Sequence, residues 1–325
     1  MVPKKPLLVI FVLLLDRLPL PPAPTKRGRP VTYPERLILK ALVIMIIRRL
    51  YSAYSLLAFL EQESELTTQL RELLTEQGRF PTRRTWERRL ATLPDHLPGL
   101  IRHLGQHLVA LLLPWGQQQG ATAVDSTPLR AKGGVWHKKD REAGVVPHST
   151  IDTEAHWGKS GYHGWWYGWK LHLACTAAGL WIPLAARLTP ANVADNTIAP
   201  HLVADLPAVI RYILGDTHYN DPELRLRCEQ DQRWLIATHK GPHPRTDPGA
   251  PVRQLFHRLR SQAIEPFNGL FKNIFEWGGQ VPVKGLRRTQ LFVLGAVLLY
   301  QLVLLYQFEE QRPLGLNIKP LLRAA

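Results

Sequence analysis

The sequence is poor in cysteine. Cys175 and Cys228 are the only two cysteines, and no Cys-x-x-Cys pair or tight Cys/His cluster occurs. Neither a disulfide framework nor a structural zinc site is therefore indicated. This composition fits a reducing compartment, and we expect a cytoplasmic protein.

Apolar runs long enough to cross a membrane are also missing. Residues 7–15 resemble a short signal peptide, but an acidic and a basic residue close the run and no Ala-x-Ala cleavage site follows. Residues 291–306 fall short of the roughly 20 residues that a bilayer requires, and Gln301 lies among them. We expect no membrane association and a buried helix over the second run.

Acidic residues are scarce relative to basic ones. The chain of 325 residues has 26 Asp and Glu against 41 Lys and Arg, which gives a formal net charge of +15. The simplest reason for so basic a chain is a polyanionic partner, and nucleic acid is the most common one. Charge alone does not distinguish DNA from RNA.

Proline and apolar residues divide the chain into four parts. Residues 1–34 are interpreted as an apolar, Pro-rich and basic N-terminal tail, since six prolines from residue 19 onward prevent a helix. Residues 35–118 have helical apolar spacing, which predicts an all-helical module. Residues 119–308 form the second predicted domain, and residues 309–325 a C-terminal tail.

The helical module contains a short arginine-rich helix. Pro81 and Thr82 indicate its start, and Pro94 bounds it. Its arginines are Arg83, Arg84, Arg88 and Arg89. Arginine can pair with guanine as well as with phosphate, so we predict that this module binds DNA. A basic helix that is only solvated stays an open alternative.

After Gly120 the apolar pattern changes to short strands. The predicted strands cover residues 121–126, 168–174, 180–188, 210–215 and 234–238. Two of them are joined as a hairpin through residues 177–179. Helical stretches lie between the later strands, and a final helical block covers residues 253–307. Mixed strands and helices predict an α/β domain.

Two of these strands end in a carboxylate. Asp125 and Asp216 each follow an apolar run. Neighbouring strands lie only about 5 Å apart, so two such carboxylates would converge and repel each other unless a cation lies between them. Oxygen ligands of this kind suit Mg²⁺ or Mn²⁺, and a pair of such ions can cut a phosphodiester. A single aspartate at a strand end is otherwise a turn or cap residue.

A third acidic residue lies in the final helical block. Glu265, Asn268 and Lys272 fall on one stripe of a helix, whereas the apolar residues cluster on another. Lys272 could hold the phosphate that is cut, with Asn268 beside it. Pro266 could kink this helix or mark its first turn. An ordinary amphipathic surface helix is the alternative.

These segments together resemble the DDE transposases of bacterial insertion sequences, in the superfamily of the insertion-sequence four and five groups. The resemblance covers about half of the chain, between residues 121 and 272. Its matching segments are Val-Asp-Ser around Asp125, residues 167–172, residues 188–195, Gly215-Asp216 with Tyr219, and Ile264-Glu265 with Phe267 and Lys272. Their order and spacing make this resemblance more specific than any single motif.

The chain departs from the family pattern near the glutamate. That pattern is Tyr, two residues, Arg, three residues, Glu, six residues, Lys. Here Arg258 stands at the tyrosine position and Ser261 at the arginine position. On an unbroken helix Arg258 lies within about 20° of Glu265 and could substitute for the missing arginine. Arg260, about 140° away, is disfavoured.

The resemblance implies an RNase H-like domain, in which a mixed sheet is flanked by helices. It implies that Asp125, Asp216 and Glu265 are the catalytic residues and hold Mg²⁺ or Mn²⁺, two ions in all. The implied activity is cut-and-paste transposition, in which DNA is cleaved at the insertion-sequence ends and joined to target DNA. The implied partners are DNA and a second copy of the chain in a homodimer, in the nucleoid of a prokaryote.

Two other functions stay open. The departure at Ser261 is compatible with a catalytically silent, transposase-derived DNA-binding protein. A metal-dependent nuclease of the same fold would cut DNA without joining it. Three tryptophans, Trp165, Trp166 and Trp169, could stack on unpaired bases, or could pack in the core.

Overall fold

The computed structural model describes residues 5–18, 20, 32–112, 120–161, 164–237 and 250–325. Most of the Pro-rich connector, residues 19 and 21–31, lies outside the described residues. By its internal contacts the chain forms two compact units. The first unit comprises residues 1–104 and 290–325, and the second residues 105–289.

The first unit is dominated by helices over its described residues, and an isolated β-bridge joins Glu76 and Arg79. Its helices are α1 (Leu7–Arg17), α2 (Glu35–Ile47), α3 (Ala53–Leu60), α4 (Glu65–Leu73), α5 (Arg83–Thr92), the first half of α6 (Leu97–Leu112), most of α11 (Leu286–Glu309) and α12 (Ile318–Ala324). Side-chain caps begin three of them, at Ser52, Ser64 and Thr82, because the hydroxyl of each accepts a free backbone N–H of the first turn. The prediction of an all-helical module therefore agrees with the structure in this region.

Helix α1 lies in the segment that the sequence assigned to a tail. Its apolar side chains are buried, and Phe11 packs edge-to-face against Tyr306 with 5.2 Å between ring centroids. Arg17 at its end donates to Glu309 at 2.7 Å. The structure thus differs from the expected tail, because an apolar run of this length buries its surface when a complementary helix is available. The domain boundaries themselves stay a prediction.

Helix α11 is long and apolar. It has 24 residues. An 18-residue window within it has a mean hydropathy of 2.0, and 94% of that window is buried inside the protein. Gly295 allows α2 to approach closely, since a Cβ there would lie 2.8 Å from a Leu42 methyl group. The buried helix predicted over residues 291–306 is confirmed. The argument from its shortness is wrong, because five residues before and three after the apolar run also belong to the helix.

The second unit is built on one mixed sheet. Its described strands are β1 (Ala121–Arg130), β2 (His156–Ser160), β3 (Gly164–Thr176), β4 (Pro183–Pro190), β5 (Tyr212–Gly215) and β6 (Trp234–Ala237). Strand order is β2-β3-β1-β5-β6, and β4 also pairs with β3. Strand β1 is antiparallel to β3 and parallel to β5, which is in turn parallel to β6. Helices α7 (Lys138–Glu142), α8 (Asp195–Ala204), α9 (Pro222–Gln230) and α10 (Ala250–Ile274) complete the unit.

This sheet confirms the predicted α/β class and the RNase H-like arrangement of a mixed sheet flanked by helices. All five predicted strands are present, and β3 and β4 form the expected hairpin. Strand β2 was not predicted, because glycine and polar residues interrupt its apolar alternation. Gly158 has a packing reason, since a Cβ there would lie 2.5 Å from the Trp166 ring.

Candidate active site

Strand register brings the two aspartates together. Strands β1 and β5 pair in parallel up to Ala123 and Leu214, and each aspartate follows two residues later. The nearby Asp216 carboxylate also raises the pKa of Asp125. The geometric expectation of two converging carboxylates at neighbouring strand ends therefore agrees with the structure.

Asp125 lies in a poorly solvated position. Burial raises its pKa to about 7, against the opposing effect of the Arg260 guanidinium and with a further increase from Asp216. A carboxylate with so high a pKa binds either a proton or a cation near neutral pH. This electrostatic demand is the property expected of a cation ligand.

Asp216 is held by the turn that follows it. A 3₁₀ turn, Thr217–Tyr219, begins after the aspartate, whose Oδ1 accepts the backbone N–H of His218 at 2.8 Å. Its Oδ2 lies 3.0 Å from Nδ1 of the same histidine. His218 was not predicted as a site residue, and its side chain is exposed.

Glu265 reaches the site through an arginine. Its side chain is 57% exposed, and Oε1 accepts a hydrogen bond from Nη2 of Arg260 at 3.1 Å. The other terminal nitrogen, Nη1, lies 3.8 Å from Oδ2 of Asp125. A buried guanidinium therefore stands between the two carboxylates. Arg258, which the helical wheel favoured, is exposed.

The preference for Arg258 over Arg260 is not supported by these contacts. An angle on a helical wheel places the Cα atom, but the long Arg260 side chain extends toward the C-terminus and reaches the carboxylate of Glu265, five residues further along the helix. Helix α10 continues through Pro266, so this residue does not mark a first turn. The proposed role of Arg258 in DNA binding stays a prediction.

Asn268 and Lys272 lie on the same helix as Glu265. Asn268 is 7% exposed, and its Oδ1 has no hydrogen-bond partner among the described residues. Burial lowers the pKa of Lys272, while Asp125 raises it. The Lys272 ammonium group therefore lies within electrostatic range of Asp125.

A fourth carboxylate lies close by on helix α8. Asp195 raises the pKa of Asp125, and its Oδ1 accepts from Nζ of Lys170 at 3.1 Å. Nδ1 of His172 lies 3.4 Å from the same oxygen, and burial lowers the pKa of this histidine to about 4. The resemblance included residues 188–195, but Asp195 was not predicted as a site residue. Only the position of α8 against β3 brings it to the site.

A cavity of about 760 Å³ opens beside Asp216. It contains basic, acidic and neutral polar groups, among them Ser126, Lys159, Lys170, Asp195, Thr217 and His218. The volume is sufficient for a nucleotide, and two lysines could contact phosphate.

The site fits a divalent cation in part. Among the described residues, no group of three or more His, Cys, Asp or Glu side chains is close enough to hold a metal ion. Asp125 and Asp216 supply oxygen ligands of the type that Mg²⁺ and Mn²⁺ prefer, and the buried Tyr219 hydroxyl beside them has no partner in the described part of the chain. Glu265 would join them only if Arg260 moved from between the carboxylates.

The predicted DNA-contacting arginines differ in exposure. Helix α5 buries Trp86 and Leu90, and its other side carries Arg83, Arg84 and Arg88 in exposed positions. Arg83 donates to Glu87 at 2.8 Å. Arg89 is half-buried, and burial lowers its pKa while Glu35 raises it.

The three tryptophans also separate into two classes. Trp166 and Trp169 are 5% and 0% exposed and belong to the core. Trp165 is 63% exposed, with Nζ of Lys159 5.2 Å from its ring centroid. Only Trp165 therefore has a surface on which a base could stack.

Comparison with known proteins gives one family match. Residues 116–302, more than half of the chain, match the family described as the transposase DDE domain. No curated protein matches the sequence. Two solved structures are similar. One is a piggyBac transposase synaptic complex with hairpin DNA, at 8% identity and a TM-score of 0.38, with 96% of this chain and 74% of that chain covered. The other is a pre-cleavage Mos1 transpososome, at 11% identity and a TM-score of 0.23, with 87% of this chain and 80% of that chain covered.

Proposed function

Because the chain belongs to the transposase DDE domain family, we propose that it cuts DNA at the ends of an insertion sequence and joins the freed 3′ ends to target DNA. Asp125, Asp216 and Glu265 are its catalytic residues. The observation that carries this proposal is the convergence of Asp125 and Asp216 at adjacent strand ends, with Glu265 linked to Asp125 through Arg260.

The three carboxylates would hold two Mg²⁺ or Mn²⁺ ions, which activate the attacking oxygen and neutralise the leaving oxygen when they are bound. Arg260 neutralises Asp125 and Glu265 in the structure described here, and it would have to release both before they could become ligands. Its guanidinium is then available to the phosphate.

Lys272 and Asn268 would contact the DNA strand that is cut. Asp125 raises the pKa of Lys272, which indicates an electrostatic interaction between the two side chains. The Lys272 ammonium group can therefore neutralise a phosphate held at the carboxylates. The amide nitrogen of Asn268 can donate to a phosphate oxygen. Arg258, exposed on the same helix, would contact the DNA backbone further away.

Recognition of the insertion-sequence ends would be performed by helix α5. Exposed Arg84 and Arg88 can contact phosphate or guanine, and Arg83 and Arg89 would support them. If they contact phosphates, replacing Arg84 or Arg88 with Gln should weaken DNA binding and reduce its salt dependence by about one released ion each. Arg83→Gln serves as the comparison and should have a smaller effect, because Arg83 is already paired with Glu87. Equal effects of all three changes would contradict the assignment.

The decisive experiment is cleavage and strand transfer on DNA that carries the flanking element ends, with Mg²⁺ or Mn²⁺. Wild type should join these ends to target DNA, and Asp125→Ala, Asp216→Ala and Glu265→Ala should each abolish the chemistry but retain DNA binding. Asp231→Ala, which removes an exposed aspartate at the end of α9, is the control and should remain active.

Two other outcomes would change the proposal. A wild-type protein that binds the ends but never cuts them would be a silent DNA-binding protein, for which the absence of a ready metal cluster among the described residues is the supporting observation. Cutting without joining would indicate a nuclease. We further propose that the chain belongs to the insertion-sequence four and five groups. We also propose that two copies of the chain form a homodimer that pairs two DNA ends, and the mass of the DNA complex measures this stoichiometry.

A further inference from the structure

Tyr219 lies fully buried beside the catalytic carboxylates. It is 1% exposed, and the 3₁₀ turn after Asp216 folds its side chain back onto Gly215. A Cβ at Gly215 would lie 2.7 Å from Cβ and 3.1 Å from Cγ of Tyr219. The glycine therefore provides the space that the aromatic ring occupies. A turn packed this closely fixes where the tyrosine hydroxyl can point.

Three carboxylates act electrostatically on the Tyr219 hydroxyl. Burial raises its pKa well above the usual value, and Asp195, Asp125 and Asp216 raise it further, in that order. The hydroxyl consequently stays protonated and can act as a hydrogen-bond donor. It has no hydrogen-bond partner within the described ranges of the chain. A buried donor without a hydrogen bond is an unfavourable arrangement, so this hydroxyl requires an acceptor when the site is assembled.

Asp125, Asp195 and Asp216 differ in the number of hydrogen-bond donors close to their carboxylate oxygens. Both oxygens of Asp216 face His218, and Oδ1 of Asp195 accepts from Lys170. Asp125 accepts from the Ser126 backbone, and the Arg260 guanidinium is as far as 3.8 Å away. Asp125 is thus the carboxylate with the greatest need of a donor.

We propose that Tyr219 is a positioning residue of the metal site: its hydroxyl donates a hydrogen bond to the Asp125 carboxylate and orients this carboxylate toward a bound cation. This inference rests on the proposed function of Asp125 and Asp216. One oxygen of Asp125, held by the tyrosine, leaves the other directed at the cation. Groups that orient a ligand from behind in this way typically change metal affinity by about ten- to a hundredfold when they are removed.

The test is Tyr219→Phe, which removes the hydroxyl but keeps the ring against Gly215. Binding of Mn²⁺ to the DNA-free protein should weaken about tenfold by calorimetry, and the Mn²⁺ concentration for half-maximal cleavage should rise equally. The matched control is Tyr167→Phe. Tyr167 is also buried, and its hydroxyl donates at 2.7 Å to the Asp152 carbonyl, away from the carboxylates. This control should change the melting temperature but leave Mn²⁺ affinity unchanged.

Three results would overturn the inference. Tyr219→Phe could bind Mn²⁺ as well as wild type does, both tyrosine variants could weaken binding equally, or wild type could fail to bind Mn²⁺. A wild-type protein that binds Mn²⁺ but cuts no DNA would remove the proposed function alone. In that case, a tenfold loss of affinity confined to Tyr219→Phe would still support the positioning role.

Discussion

The aspartates on the strands and the glutamate on the helix are held in different ways. Asp125 is fixed by β1, which pairs with β3 on one side and β5 on the other, and Asp216 by β5 and its 3₁₀ turn. Glu265 is 57% exposed, and within the described residues its carboxylate pairs with one arginine, Arg260. Backbone pairing therefore sets two corners of the site, and a movable side chain sets the third.

The largest expected effect concerns the buried strand half of the site. Without divalent ions, wild type should lose stability as the pH rises from about 4 to about 7, because folded Asp125 keeps a proton that the unfolded chain has already released. Asp125→Asn removes this dependence. Relative to wild type, the variant should gain about 4 kcal/mol in unfolding free energy between these pH values.

Denaturant unfolding at several pH values measures this difference, and the two proteins at pH 4 serve as the internal control. Adding Mg²⁺ at pH 7.5 should stabilise wild type and leave the variant unchanged. Parallel pH curves for the two proteins would mean that Asp125 is as well solvated as an ordinary surface carboxylate, and the contrast with Glu265 would fail.

A second prediction breaks the backbone that holds Asp216. Gly215→Ala places a Cβ against Tyr219, so the turn must shift and the carboxylate moves with it. Cleavage should fall about a hundredfold, the effect expected for a displacement near 1 Å. Gly269→Ala on α10 is the control, since no atom lies within 4 Å of the added Cβ. That variant should be active and more stable by about 0.5–1 kcal/mol. Equal cleavage by both variants would refute the importance of the turn.

A third prediction, with a smaller expected effect, concerns Arg260 on helix α10, which pairs with Glu265. Arg260→Gln removes the cation that lowers the pKa of Asp125, so the acid limb of the cleavage pH profile should move to higher pH. The rate at pH 7 should fall about tenfold, as expected for one lost hydrogen bond to a charged group. Arg258→Gln, on the exposed side, should leave the profile in place. A shift with Arg258→Gln alone would favour the helical-wheel assignment.

The contrast between the two halves also explains what the sequence could predict. Alternating apolar residues end at Asp125 and Asp216, and local pattern with strand spacing is sufficient to predict that they converge. The contacts of Arg260 depend on the length and direction of its side chain, and a helical wheel gives only the angular position of each residue. Asp195 and Tyr219 depend on how α8 and the 3₁₀ turn pack against the sheet, and no local pattern contains that tertiary information.

Helix α1 illustrates the same limit elsewhere in the chain. Its apolar residues were apparent, but proline further along the chain suggested a detached tail. The pattern identifies a segment that must be buried, and the structure identifies Tyr306 and Glu309 as its contacts. A partner almost 300 residues away cannot be read from the segment itself.

The short pairing of β1 with β5 constrains how related chains can vary in length. Only Ala121–Ala123 pair with Tyr212–Leu214, and the aspartates lie just past this contact. Because side chains alternate between faces, one inserted residue before Asp216 would turn its carboxylate to the opposite side of the sheet, whereas two would restore the side but overshoot the site. The number of residues between the paired segment and Asp216 is thus fixed, while segments beyond Tyr219 can lengthen without changing it.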